Sequence, residues 1–207
     1  MLLAILSISS LFDFTYSSLS SLLHAYGYYA IIGLMTMEAA SFPVPSEVVL
    51  PMIGYFAAKG VLNIYIALLV TFFSSFLGMA LDYYIAYLLG KDIVYRHLGI
   101  FHIKKKDIEA FESWFSRNGA FAVFVSRFIP LVRGLINFPA GFALMPQKKF
   151  YIYSMAGSII WDTVLVFFGY YALSASSATV LIVSIAVFAI VLYTIYVIAV
   201  KRIRKVR

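Results

Sequence analysis

Apolar residues run almost without interruption through this chain, and the few places where charge or proline intrudes divide the runs into two kinds. In the first kind the interruption is one carboxylate or nothing. Val61 to Gly90 contains only Asp82, Phe150 to Tyr171 only Asp162, and Val180 to Val200 no charge at all. A helix rises 1.5 Å per residue, so ~20 apolar residues cross a ~30 Å hydrocarbon core. The pattern predicts transmembrane helices over 61–90, 148–171 and 176–201.

The second kind carries its interruptions at the centre. Tyr26 to Ala58 holds Glu38, Pro43, Pro45, Glu47 and Pro51, and Gly119 to Pro146 holds Arg127, Pro130, Arg133, Pro139 and Gly141. Proline removes a helix donor and charge opposes lipid, so irregular backbone at membrane depth is tolerable only against protein or a wet cavity. Both segments are expected to be re-entrant helical hairpins, 26–58 and 119–146, with Pro43, Pro45, Pro130, Pro139 and Gly141 setting their geometry.

Between them, Lys104 to Arg117 places Ile108, Phe111, Trp114 and Phe115 at helical spacing, which predicts an amphipathic helix over 104–117 in the headgroup plane. At the start, residues 2–24 are apolar but interrupted by Asp13 and several serines. With no positive n-region and no small-x-small site, they read as an interfacial helix rather than a cleaved signal.

Composition fixes the solvent. With 63% hydrophobic and 12% charged residues, 207 residues cannot be wrapped in a water-soluble surface. The chain is expected to be one all-α polytopic membrane domain, 1–207. The net charge of +7 does not point to nucleic acid, because its distribution follows topology. Six of the 16 basic residues lie between Lys91 and Arg117, two are Lys148 and Lys149, and five crowd into Lys201 to Arg207. If the first hairpin opens outward and the second inward, all 13 fall on one side, against Lys59 on the other. That bias makes the C-terminus cytoplasmic and the protein a multi-pass cell-membrane protein. The chain has no cysteine, so it holds no disulfide and no thiolate metal site.

The two halves echo one another. Gly54-Tyr-Phe-Ala-Ala resembles Gly141-Phe-Ala-Leu-Met at an offset of 87, and Gly78, Asp82 and Gly90 are matched by Gly157, Asp162 and Gly169 at an offset near 79. A hairpin plus a span, repeated in opposite orientation, is the layout of an inverted-repeat transporter. Glu38, Glu47, Asp82, Arg127 and Arg133 are the candidate chemistry. Carboxylates facing arginines suit proton-coupled movement of an anion, and a guanidinium fork suits a phosphate. Arg127 and Arg133 are therefore the expected phosphate ligands, and Glu38, Glu47 and Asp82 the expected proton carriers. A ligand-free ion-pair network between the hairpins would use the same residues. Asp162, beside Trp161, reads as a helix-packing acid, and His24, His97 and His102 as solvated side chains.

The motifs Glu38…Pro43-Val-Pro-Ser-Glu47, Gly78…Asp82-Tyr…Gly90 and Phe124…Arg127…Pro130…Arg133…Ala140-Gly-Phe…Met145…Phe150…Gly157…Trp161 resemble the DedA family, also called the VTT or SNARE-associated domain family, over residues 20 to 175. Ser46 departs from the glycine many members have before the glutamate. The resemblance implies two facing re-entrant hairpins and lipid translocation. Bacterial members are implicated in recycling undecaprenyl phosphate with the proton motive force, and eukaryotic relatives look like phospholipid scramblases. It also implies that the essential acids are Glu38 with Glu47 or Asp82, and the essential arginines Arg127 and Arg133.

The expected function is therefore transport of a phosphate-bearing lipid between leaflets, coupled to protons. The alternatives are a proton-dependent small-ion exchanger or a passive phospholipid scramblase. No cofactor, metal or nucleic acid is expected, and a homo-oligomer is left open. An enzyme is not expected. Ser126-Arg127 is similar to a piece of lipid phosphatases, but that chemistry needs a downstream histidine and none follows His102. Asp82 and Asp162 lack the Gly-x-Gly-Asp setting of intramembrane proteases.

Overall fold

Two largely apolar helices of 26 residues each, Ile64–Leu89 and Gln147–Ala172, have the length and composition to cross a membrane, and the remaining elements pack around them. The computed structural model describes residues 17–96, 105–130 and 132–173. Every regular element in them is helical: α1 (Tyr28–Ala39), α2 (Ser46–Ala58), α3 (Ile64–Arg96), α4 (Lys105–Ser126), α5 (Val132–Leu135), α6 (Asn137–Phe142) and α7 (Gln147–Phe168), which ends in a π-helical turn, Gly169–Leu173. The expected helix over 176–201, the basic tail, the first part of the 2–24 helix and the 97–104 loop lie outside the described residues. Residues 17–26 are helical and turn at Gly27, whose φ of 53° suits glycine, into α1.

Proline chemistry makes the breaks. After Ala39 the chain passes through Ser41 at φ 60° and then through Pro43 and Pro45, which donate nothing and restrict the residues before them. The chain resumes as α2 at Ser46. Pro51 lies inside α2 and cannot donate to the Glu47 carbonyl one turn earlier. With 12 and 13 residues, α1 and α2 are only about 18 and 20 Å long.

The second half departs from the expected boundaries. One continuous helix, α4, runs through Lys105–Ser126, so the amphipathic segment 104–117 and the first hairpin arm from 119 are a single element. Gly119 does not stop it, since an interior glycine costs only about 1 kcal/mol and here lies beneath the Phe115 ring. Pro139 and Gly141 lie within α6 rather than at the turn. The turn itself is residues 127–130, followed by the four-residue α5.

Packing is crosswise. α1 and α3 run side by side in the same direction: at their starts the Asn63 backbone N–H donates to Tyr28 Oη (2.8 Å), and farther along Gly78 lies against the Thr36 carbonyl. The second arms then reach across. α2 packs on α7, where a Cβ on Gly54 would overlap the Val166 carbonyl, and α6 packs on α3, where a Cβ on Gly141 would lie 2.7 Å from the Tyr83 carbonyl. Only glycine lets backbones approach this closely.

Two apolar cores result. One gathers Leu19, Leu23, Ile31, Leu50, Ile53, Leu68 and Leu165, the other Met79, Tyr83, Phe115, Val123, Met145 and Phe150. α3 and α7 each pass through both. Between the two stretches, α3 buries Thr71, Ser74 and Ser75, and α7 buries Ser154 and Ser158. Outward, Leu69, Phe73, Leu88, Ile152 and Ile160 are exposed, an apolar surface suited to lipid rather than water.

Candidate functional site

Ionisable side chains collect where the two helix breaks meet this polar layer. The end of α1 presents Glu38, and α5 presents Arg133 to it. Arg133 Nε lies 2.8 Å from Glu38 Oε1, and Nη2 donates to Oε2 at 3.0 Å, a forked pair with both side chains buried. Nη2 also reaches Asp162 Oδ1 of α7 at 3.4 Å, and the other oxygen, Oδ2, accepts from Ser75 Oγ of α3 at 3.3 Å. Arg133 thus joins the first break, the second break and the α7 span. Its Nη1 is buried and has no hydrogen-bond partner among the described residues.

Arg127 is the largest fully buried side chain among the described residues, 1% exposed, yet it makes no ion pair within them. Its Nη1 donates to the Arg133 carbonyl (2.7 Å), and its Nη2 to Asn137 Oδ1 (2.6 Å) and Ser154 Oγ (2.9 Å). Gly157 makes room for the stem of this side chain. Asp82 of α3 is buried beside it and accepts from Ser41 Oγ and from Asn137 Nδ2 (3.3 Å), both neutral donors. Three buried carboxylates, Glu38, Asp82 and Asp162, therefore share the space with two guanidiniums.

Glu38 and Arg133 line a cavity of about 270 Å³ between the breaks, together with Ser41, Pro43, Pro45, Glu47, Pro130 and Gly134. Glu47 stands exposed on its rim, without an ion pair among the described residues. Neither Arg127 nor Asp82 lines this cavity. Of the five residues singled out by sequence, the structure therefore joins Glu38 and Arg133 directly, sets Glu47 at the edge, and holds Arg127 and Asp82 behind, bridged by Asn137.

Asn137, Asp162, Ser41, Ser75 and Ser154 complete the network and were not assigned to it from sequence. Asp162 gave a signal, as a lone charge inside a span. Ser75 could have been found from α3, where Thr71, Ser74, Ser75, Gly78 and Asp82 fall on one helical face. Among the described residues no group of three His, Cys, Asp or Glu side chains could hold a metal ion.

Comparison with known proteins adds a family likeness. A model of the VTT domain matches residues 44–171. Undecaprenyl phosphate transporter A of Staphylococcus aureus is 35% identical over 148 residues, 70% of this chain and 73% of the relative. An alkaline phosphatase-like protein of Lactococcus lactis subsp. lactis is 34% identical over 152 residues, 71% of each chain. Undecaprenyl phosphate transporter A of Bacillus subtilis is 33% identical over 126 residues, 61% of this chain and 64% of the relative. No solved structure matches.

Proposed function

Because the chain belongs to the VTT-domain family, also known as the DedA family, we propose that it is a membrane lipid transporter that moves a phosphate-bearing lipid, a polyprenyl phosphate or a phospholipid, between leaflets. The observation that carries the reading is Arg133. It is a buried guanidinium at the wall of a cavity of about 270 Å³, with its Nη1 uncommitted and its remaining fork held by Glu38. A planar fork of donors matches phosphate oxygens. Two relatives carry the name undecaprenyl phosphate transporter, which agrees with that ligand chemistry.

Coupling follows from competition. The phosphate and the Glu38 carboxylate want the same two nitrogens of Arg133. A proton on Glu38 removes its charge and frees the fork for the headgroup, and loss of the proton closes the pair and expels it. Asp162 keeps Arg133 in position through the exchange, and the Glu47 carboxylate at the rim disfavours entry of an anionic headgroup. In this account Arg127 does not bind phosphate. It holds the Arg133 backbone carbonyl instead.

The membrane arrangement belongs to the same proposal. α1 and α2 are each shorter than a ~30 Å core and are joined by a proline-rich turn, which supports a re-entrant first hairpin. The matched packing of α2 on α7 and α6 on α3 supports an inverted repeat whose broken helices meet at the substrate. The clustering of basic residues along the sequence supports a multi-pass cell-membrane protein with a cytoplasmic C-terminus. The reading is non-enzymatic, the name of the Lactococcus relative notwithstanding.

The experiment is leaflet transfer of a fluorescent polyprenyl phosphate or phospholipid in proteoliposomes, with and without an imposed pH gradient. Transfer that responds to the gradient in the native protein, and no longer does so in Glu38→Gln, supports the coupled transporter. Transfer indifferent to the gradient in both would make it a passive scramblase. Ion flux without lipid transfer would make it an exchanger.

A further inference from the structure

Asn137 joins a buried cation and a buried carboxylate through one neutral side chain. Its side chain is fully buried, and its three hydrogen bonds run to three different parts of the fold. Oδ1 accepts from Arg127 Nη2 (2.6 Å) at the second break. Nδ2 donates to the Ala39 carbonyl (3.0 Å) at the end of α1 and to Asp82 Oδ2 (3.3 Å) on α3. Ala39 is the residue after Glu38, and Arg127 holds the carbonyl of Arg133 at 2.7 Å. One amide thus holds the backbone beside Glu38 directly and that of Arg133 through Arg127.

We propose that Asn137 is the positioning residue of the transport site: it fixes Glu38 and Arg133 against each other and, with its acceptor turned to Arg127 and its donor to Asp82, prevents those two from closing into an ion pair of their own. This rests on the transporter reading above. The polarity is what makes it specific. An amide offers a donor and an acceptor at once, so it satisfies a cation on one side and a carboxylate on the other without adding charge. Aspartate in its place would still accept from Arg127 but would set a second carboxylate against Asp82 and leave Ala39 without its donor. Alanine or leucine would leave Ala39 without a donor and strip one partner each from Arg127 and Asp82, which buried polar groups tolerate poorly.

A charge exchange across the bridge tests this. In the purified full chain in proteoliposomes, Asn137→Asp lowers transfer of a fluorescent polyprenyl phosphate about tenfold, and Asp82→Asn in the native background lowers it about two- to threefold. In the double variant the new amide on α3 donates to the new carboxylate on α6. The second change therefore acts with the opposite sign and raises transfer about threefold above Asn137→Asp alone, short of native because Ala39 stays unpaired. Melting temperatures in detergent follow the same order. Native-like transfer by Asn137→Asp, or a fall on adding Asp82→Asn as large as in the native background, overturns the proposal. Should Asn137→Asp fail to assemble, Asn137→Ser is the second variant. A hydroxyl has a single donor hydrogen and serves either Ala39 or Asp82 but not both, so the variant assembles and transfers at most about one-fifth as fast, and a native rate counts against the role. If the native protein moves no lipid, the transporter reading fails, while the reversal of sign in melting temperature still decides whether the bridge exists.

Discussion

Arg133 and Glu38, 95 residues apart in the chain, form a forked ion pair at 2.8 and 3.0 Å across the two helix breaks. Each side chain comes from a segment too short to span a membrane and too irregular to face lipid. A buried charge needs a partner, which Glu38 finds in Arg133 and Arg133 in Glu38 and Asp162. The pair therefore serves the fold and, in the proposed mechanism, is also the point at which an anion competes, and substitutions at this point separate the two roles.

Arg133→Lys keeps the charge and loses the fork. An ammonium is a point charge that can meet Glu38 or Asp162 but cannot present two parallel donors to a phosphate. The variant assembles, and its lipid transfer falls about tenfold or more, whereas Lys148→Ala, exposed at the start of α7, leaves transfer unchanged. Arg133→Ala is a different experiment. It strands two buried carboxylates, so it lowers stability by about 3–5 kcal/mol and is read by loss of folded protein in detergent.

The two aspartates of the spans differ in their partners. Asp162 meets the Arg133 guanidinium, while Asp82 meets, among the described residues, the neutral donors Ser41 and Asn137. Asp162→Asn removes charge that Arg133 uses and lowers transfer about tenfold. Asp82→Asn keeps an acceptor for neutral donors and lowers it about two- to threefold. The comparison is made at equal amounts of reconstituted protein, and the reverse order would mean that Asp82 is the functional acid.

Glycines at helix crossings give a test of the fold alone. A Cβ on Gly54 would overlap the Val166 carbonyl, so Gly54→Ala forces α2 away from α7 and lowers stability by about 1–3 kcal/mol. Gly33, on α1, has nothing within 4 Å of the same position. Gly33→Ala is neutral or stabilising, by up to about 1 kcal/mol, from helix propensity. Melting curves of the two variants in the same detergent check the contrast.

The long apolar runs made the two spans legible, because hydrocarbon leaves few other readings for 26 residues that are almost wholly apolar. The prolines at 43 and 45 likewise marked the end of α1. What the chain did not disclose is rotational. Arg127 and Arg133 are the same residue type six positions apart, and only the turn at 127–130 and the short α5 decide that Arg133 faces the cavity while Arg127 faces Ser154. Asp162 read as a packing acid because its partner lies on another element. Gly119 suggested a boundary inside α4, but the weak penalty of one glycine is outweighed by the packing of Phe115 and Val123 in the core. Asn137 gave no signal, since a single amide in an apolar run acquires meaning only from what surrounds it.

The central claim is that Arg133 recognises the phosphate and not the lipid chain. Transfer between leaflets should therefore be measured for a fluorescent polyprenyl phosphate and for the corresponding polyprenol, identical except for the phosphate, in proteoliposomes of the native protein and of Arg133→Lys. The account predicts that the native protein moves the phosphate-bearing lipid about tenfold or more faster than the alcohol, and that Arg133→Lys abolishes the difference by slowing the former only. Equal rates for the two lipids in the native protein, or a preference for the phosphate that survives in Arg133→Lys, would contradict it.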